Sequence, residues 1–397
     1  MLRYCQLLCA IAGLIIMPTS VSAQETHNTP ELLLELWNGS SLDADDFAPE
    51  AFKKFPLDYL EEILSEQREV YGPALSVQPT NDTHRFLIET ESYSVPALVK
   101  QNEAGQLTGL LFRYGHIKDV DHGDLLDRIR EQTKKQSYVL MENGEVHAEH
   151  DSDVRMAVGS AFQLFVLDEL AQQIEAGAFD WDDKVMLEQR HISFPSGTMQ
   201  EEPVGKMFAL LDVARNMISV SDNTATDLLM DVLGQENVML PGATSPALTT
   251  RQLFHLKADK HAAEAYLKAG PEERAHILTD LPARLPAIDK VSGPLSNGIE
   301  WYVSTRDLCD VMTELRDLKG IFVSPGVVDP DNWTTLAYKG GSETGVLNMT
   351  YALEDQEGNE WCFSTTWNAK DKLDNTYLIA LVATLLESPQ TLEAALQ

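Results

Sequence analysis

The chain has 397 residues, 62 Asp and Glu against 30 Lys and Arg, and a formal net charge of −32. Acidity of that size, spread over many separate side chains, argues against nucleic acid or an anionic membrane as a partner held on a basic face, and serves solubility. The length is that of two domains with ample material for a buried core.

The N-terminus opens with Arg3, runs almost continuously apolar from Leu7 to Met17, and ends in a small-residue stretch, Val21-Ser22-Ala23. That is the layout of a secretory signal, residues 1–23, cleaved near Ala23, and the apolar run is too short to span a bilayer. Leu8 stands where a lipid anchor on Cys9 would want a small residue, so a lipoprotein is not expected. The mature chain is therefore expected outside the cytoplasm, periplasmic or secreted. Cys5 and Cys9 leave with the signal, and Cys309 and Cys362 remain. In an oxidising compartment the two can pair, but spacing does not establish it. There is no C-x-x-C and no His pair at helical spacing, so neither a metal nor another cofactor is expected.

Residues 24–134 read as a small α+β domain. Phe52, Phe55, Leu60, Ile63, Leu64 and Val70 recur at helical spacing over Ala48–Tyr71, and Gly72-Pro73 stops the helix. Strands follow at Arg85–Thr90, Ser94–Lys100 and Leu107–Tyr114, the last two joined by an Asn102-Glu103-Ala104-Gly105 turn. A helix followed by a curved antiparallel sheet makes a cone-shaped unit. Asp119 to Lys135 is polar and charged, and reads as a helical linker.

Residues 135–397 form the second domain. Ser137–Met141 and Val146–His150 read as two strands around Asn143-Gly144. Ala161–Ile174 is apolar on nearly every side, the mark of a helix in the middle of a domain. A second helix is read over Pro203–Ser219 and a short one over Ala225–Leu233. Thr334–Tyr338, Gly345–Leu353 and Glu360–Thr366 read as consecutive strands, and Thr376–Glu387 as a closing apolar helix. Both ends of this domain would then contribute to one sheet.

Three segments place small or polar groups at the edge of apolar elements. Ser160 opens the apolar helix, where unpaired N–H groups and the helix dipole suit a nucleophile whose transition state develops an oxyanion; alone, it reads more readily as an N-cap. Ser221-Asp222-Asn223 lies between two helices, and alone reads as a turn with a cap. Lys339-Gly340-Gly341-Ser342 lies on a strand, where glycines allow close backbone approach and a Lys beside Ser342 can hold a carboxylate; the bland alternative is a protected edge strand.

Together the three resemble the class A β-lactamases and penicillin-binding enzymes, whose pattern is S-x-x-K, S-D-N and K-T-G in that order. Ser221-Asp222-Asn223 matches letter for letter, and Lys339-Gly340-Gly341 stands for K-T-G. The resemblance covers roughly residues 136 to 397. The layout as a whole is similar to a group, typified by a clavulanate-cluster protein and mycobacterial lipoproteins, in which a steroid-isomerase-like domain precedes the lactamase-like one. The fold it implies is α+β: an antiparallel sheet flanked by a helical half, after a small α+β cone.

By resemblance Ser160 would be the acylated nucleophile, with its N–H and that of Ser342 as the oxyanion hole. Ser221 would pass a proton to the leaving group with help from Lys339. Asn223 would bond the substrate amide, Asp222 would brace its loop, and Lys339, Gly341 and Ser342 would bind the substrate and its carboxylate. The implied partner is a small acyl or peptide-like molecule, a β-lactam, peptide or ester, met by a monomer. Two departures stand out. The family's base Lys is Gln163 here, and an amide cannot take the Ser proton. Residues Pro246–Phe254, where class A enzymes keep a deacylating Glu, hold no carboxylate. A weakened serine hydrolase and a non-catalytic binding protein are thus the two expectations.

Overall fold

The computed structural model describes residues 29–39, 42–49, 51–52, 56–194, 196–291 and 298–397. The expected signal, residues 1–23, lies outside them. Among the described residues no helix is long and apolar enough to cross a membrane.

The first domain packs two helices, Thr29–Asn38 and Leu57–Tyr71, on an antiparallel sheet of β1 (Ser76–Pro79), β2 (Arg85–Glu89), β3 (Tyr93–Gln101), β4 (Leu107–Phe112) and β5 (His116–Ile117). The strands run in the order β1-β2-β3-β4, with β5 also on β3. The core is Leu33, Trp37, Leu64, Ile88, Val95, Ala97 and Leu107 with their neighbours. The second helix begins at Leu57 rather than at Ala48 as the spacing predicts. Pro56 is its N-cap; a proline has no N–H and is tolerated only where a helix starts. Phe52 lies in a turn and packs on Phe47 instead.

The second domain is built on a five-stranded antiparallel sheet in the order β12-β13-β14-β6-β7. Its strands are β6 (Lys135–Glu142), β7 (Glu145–His150), β12 (Thr335–Glu343), β13 (Val346–Glu354) and β14 (Glu360–Asn368). Two small pairs lie outside it: β8 (Met156–Ala157) with β11 (Tyr302–Val303), and β9 (Lys184–Met186) with β10 (Met207–Ala209). Both ends of the domain meet in the one sheet, as the strand pattern predicts. Asn143 and Gly144 have φ of 51° and 80°, the left-handed pair of a tight hairpin turn.

Register decides which side chains reach the helical half. β13 sends Leu347, Met349, Tyr351 and Leu353 into the core shared with the Asn375–Leu385 helix. Its alternate residues Asn348 and Thr350 face the other way and pair with β14, Thr350 with Ser364 at 2.8 Å and Asn348 with Thr366 at 2.9 Å. The helical half has its own core of Phe162, Leu164, Val166, Leu167, Val213, Met217, Leu228 and Leu229.

Two helices differ from their expected bounds. The segment read as a helix from Pro203 is helical only over Leu210–Ser219, because Met207–Ala209 pairs with β9. The short helix spans Asn223–Leu233 and starts where Asp222 caps it. The stretch read as a linker holds a helix, Leu125–Glu131, that is packed: Leu125 and Ile129 are 0% exposed within the second domain's core. The Trp367 indole also donates to the Ile129 carbonyl at 2.9 Å. Arg85 pairs with Asp329 at 2.6 Å and Asp331 at 2.7 Å, and the Ile117 N–H reaches Thr384 Oγ1 at 2.9 Å, so the first domain is fastened to the second.

Cys309, on the Thr305–Leu315 helix, is bonded to Cys362 on β14, a question that spacing left open. The bridge joins the helix to the sheet it covers and closes a separation of 53 residues. Replacing both cysteines with Ala should lower unfolding free energy by about 2–4 kcal/mol, read from urea titration under oxidising conditions; an unchanged midpoint would contradict that role.

Candidate active site

A cleft opens between the helical half and the β12 edge of the sheet. Ser160, Ser221, Lys339, Gly341 and Ser342 line it, joined by Ser196, Ser219, Ser324, Tyr338 and Asn348. Thus the three sequence segments meet in one place.

Ser160 sits in a single 3-10 turn, Gly159–Phe162, that leads into the Gln163–Glu175 helix. Phe162 anchors the turn by stacking on Trp301, ring centroids 3.9 Å apart, and the Val158 N–H donates to the Trp301 carbonyl at 3.1 Å. The turn is pressed backbone to backbone on β12. A Cβ placed on Gly341 would lie 2.1 Å from the Val158 carbonyl and 2.5 Å from the Ser160 nitrogen. Only a residue without a side chain permits that approach.

Ser221 has φ of +52°, a left-handed conformation that a serine holds only at some cost. It is held by what flanks it. Asp222, 0% exposed, accepts from the N–H groups of Ala225 at 2.8 Å, Thr198 at 2.7 Å and Met199 at 2.8 Å. Burial pushes the Asp222 carboxyl up, and those N–H bonds pull against it. On the far wall the Lys339 ammonium donates to Ser221 Oγ, and to the Gly340 carbonyl at 2.8 Å. Lys339 is 1% exposed, so its charge is delivered to the cleft from within the sheet rather than from solvent.

Asp222 braces the loop from behind, and two residues expected to act in the cleft, Gln163 and Asn223, do not line it. Gln163 is 0% exposed and its amide nitrogen donates to Thr226 Oγ1 at 2.8 Å, while its amide oxygen is buried without a hydrogen-bond partner. Through that bond the side chain reaches across to the Asn223–Leu233 helix. Asn223 is likewise engaged inside, its amide nitrogen donating to the Phe194 carbonyl at 3.1 Å. Ser196, Ser324 and Asn348 enter the cleft without any signal in the sequence; Asn348 does so through its register on β13, opposite Gly341.

The arrangement offers a hydroxyl on a turn, a second hydroxyl hydrogen-bonded to a buried ammonium, and a polar strand edge able to take a carboxylate. It offers no amine or carboxylate at residue 163. Gly341→Ala should push the Ser160 turn off β12 and lower unfolding free energy by about 1–3 kcal/mol, the range for forcing atoms into a packed site. A thermal melt of the variant that overlays the wild type would refute the close contact.

The family model described as the Beta-lactamase enzyme family matches residues 124–287. Among solved structures, a β-lactamase from Sphaerobacter thermophilus is 17% identical with a TM-score of 0.45, over 67% of this chain and 95% of that one. A class A β-lactamase representative from Bacteroides cellulosilyticus is 12% identical with a TM-score of 0.44, over 70% and 100%. A structure of PBP-A is 16% identical with a TM-score of 0.45, over 68% and 95%. No curated protein matches the chain. Residues 124–287, which carry Ser160, Gln163 and the Ser221-Asp222-Asn223 loop, match the model of the β-lactamase enzyme family.

Proposed function

We propose that the chain is an exported, slow serine acyl-transfer protein that accepts an acyl group from a β-lactam, peptide or ester on Ser160. One observation carries this reading: Ser160, Ser221, Lys339 and Ser342 line a single cleft, with Lys339 hydrogen-bonded to Ser221. In this reading the Ser160 hydroxyl attacks the acyl carbon, and the N–H groups of Ser160 and Ser342 receive the oxyanion. The Ser160 proton passes to Ser221 as Ser221 hands its own proton to the leaving group, a relay eased by the Lys339 charge, and Lys339 with Ser342 holds the substrate carboxylate. Asn223 would bond the substrate amide only if its side chain left Phe194. The two helices packed on the antiparallel sheet of the first domain support its reading as a steroid-isomerase-like cone.

Gln163 sets the rate. Its amide has no useful basicity, and the general-base contribution it forgoes is about 10²–10⁴. A second reading, a binding protein that keeps the cleft for carboxylate-bearing acyl ligands, is favoured by the turn of Gln163 towards Thr226.

Intact-mass spectrometry after exposure to a penicillin and to a fluorophosphonate separates the two. The wild type should acquire an adduct on Ser160 slowly, and Gln163→Lys should acquire it at least about tenfold faster, provided burial lowers the new amine's pKa. Fast wild-type labelling that Gln163→Lys leaves unchanged would mean another base. No adduct on either protein would leave the binding reading. Export is tested separately: protein recovered outside the cytoplasm should begin at or near Gln24, and retention of Met1 would refute cleavage.

A further inference from the structure

Beyond the cleft, the described structure buries a second group of charges. Lys257, on the Thr250–Ala258 helix, bonds Glu300 Oε1 at 2.6 Å and also Glu343. The side chains of Lys257 and Glu300 are only 6% and 2% exposed, and that of Glu343 is 24% exposed. Glu300 Oε2 is buried without a hydrogen-bond partner. One ammonium faces two carboxyl groups, and nothing in the reactions considered above uses them.

Position gives the cluster its meaning. Glu343 ends β12, immediately after Ser342, and alternation places it on the strand face that carries Lys339 and Gly341. Glu300 immediately precedes Trp301, whose ring stacks on Phe162 and whose carbonyl takes the Val158 N–H. The cluster therefore ties together the two backbones that meet at the Ser160 turn, and fastens both to the helical half through Lys257.

We propose that Lys257, Glu300 and Glu343 form a buried clamp that positions the Ser342 end of β12 against the Ser160 turn, and that the clamp loosens when both carboxyl groups carry charge. Three groups are positioning residues here; none touches the cleft. The titratable groups facing Glu300 are Lys257 from the helix, Glu343 from β12 and Tyr302 from β11. Burial first, and then Glu343, pushes the Glu300 carboxyl up to about 9, against the pull of Lys257. Burial opposes the charge on Lys257, but the two carboxyl groups outweigh it and raise its pKa. Burial pushes the Tyr302 hydroxyl up as well. Folded, the clamp holds a proton on Glu300 that the unfolded chain releases near 4.5. Its contribution to stability is thus fully present below that pH and declines as pH rises towards 9, the folded value.

Backbone hydrogen exchange, corrected for the intrinsic rate at each pH, tests this without any substrate. Protection of amides in 340–344 and 157–162 should fall at least about tenfold between about pH 7 and about pH 10, while β2 and β3 of the first domain keep theirs. Glu300→Gln, which stays neutral, should abolish the fall; Lys257→Met should show low protection already at neutral pH. Flat protection in the wild type, an equal fall in Glu300→Gln, or loss spread over both domains would overturn the clamp. If Glu300→Gln does not fold, the wild-type titration still decides. The functional meaning of the clamp rests on the cleft being the reactive site, yet the two fail separately: absence of an adduct on Ser160 removes that reading, and flat exchange removes the clamp.

Discussion

The close contact between the Ser160 turn and β12 is the constraint on which the site depends. Gly341 has no side chain, so the Val158 carbonyl and the Ser160 nitrogen can lie where a Cβ would otherwise be. The contact sets Ser160 and Ser342 side by side and aligns the strand so that Lys339 reaches Ser221 across the gap. Phe162 on Trp301 holds the turn from behind.

Around that contact the protein satisfies polar groups from inside. Asp222 takes three backbone N–H groups and so fixes a loop whose serine has left-handed geometry. A buried Asn-Thr-Ser layer on β13 and β14 lies beneath the cleft with its members bonded to one another. Gln163 is an exception, as is Glu300 Oε2. Half of its amide is used by Thr226 and its oxygen is left unpaired, a cost of about 1–3 kcal/mol for a buried group. An amide therefore stands where the S-x-x-K pattern has an amine, and it brings no charge to the position.

Much of the fold was legible because it rests on local patterns. The all-apolar helix after Ser160, the Asn143-Gly144 hairpin and the three late strands follow from periodicity and turn chemistry. Errors fell where a non-local partner overrode the pattern. Met207–Ala209 left its helix to pair with β9, and the charged stretch before β6 buried Leu125 and Ile129 against the closing helix. Pro56 moved a helix start that apolar spacing alone had placed earlier.

The sequence by itself determined the residue types of the site and their order: a serine at a helix start, Ser-Asp-Asn in a turn, and a lysine with glycines on a strand. It also determined that residue 163 cannot act as a base, since that is a property of the amide alone. Tertiary structure decided what those residues face. Gln163 and Asn223 spend their amide nitrogens on Thr226 and Phe194, Cys309 meets Cys362, and Lys257 meets two carboxyl groups from distant parts of the chain. Such pairings depend on packing between elements far apart in sequence, so no local pattern encodes them.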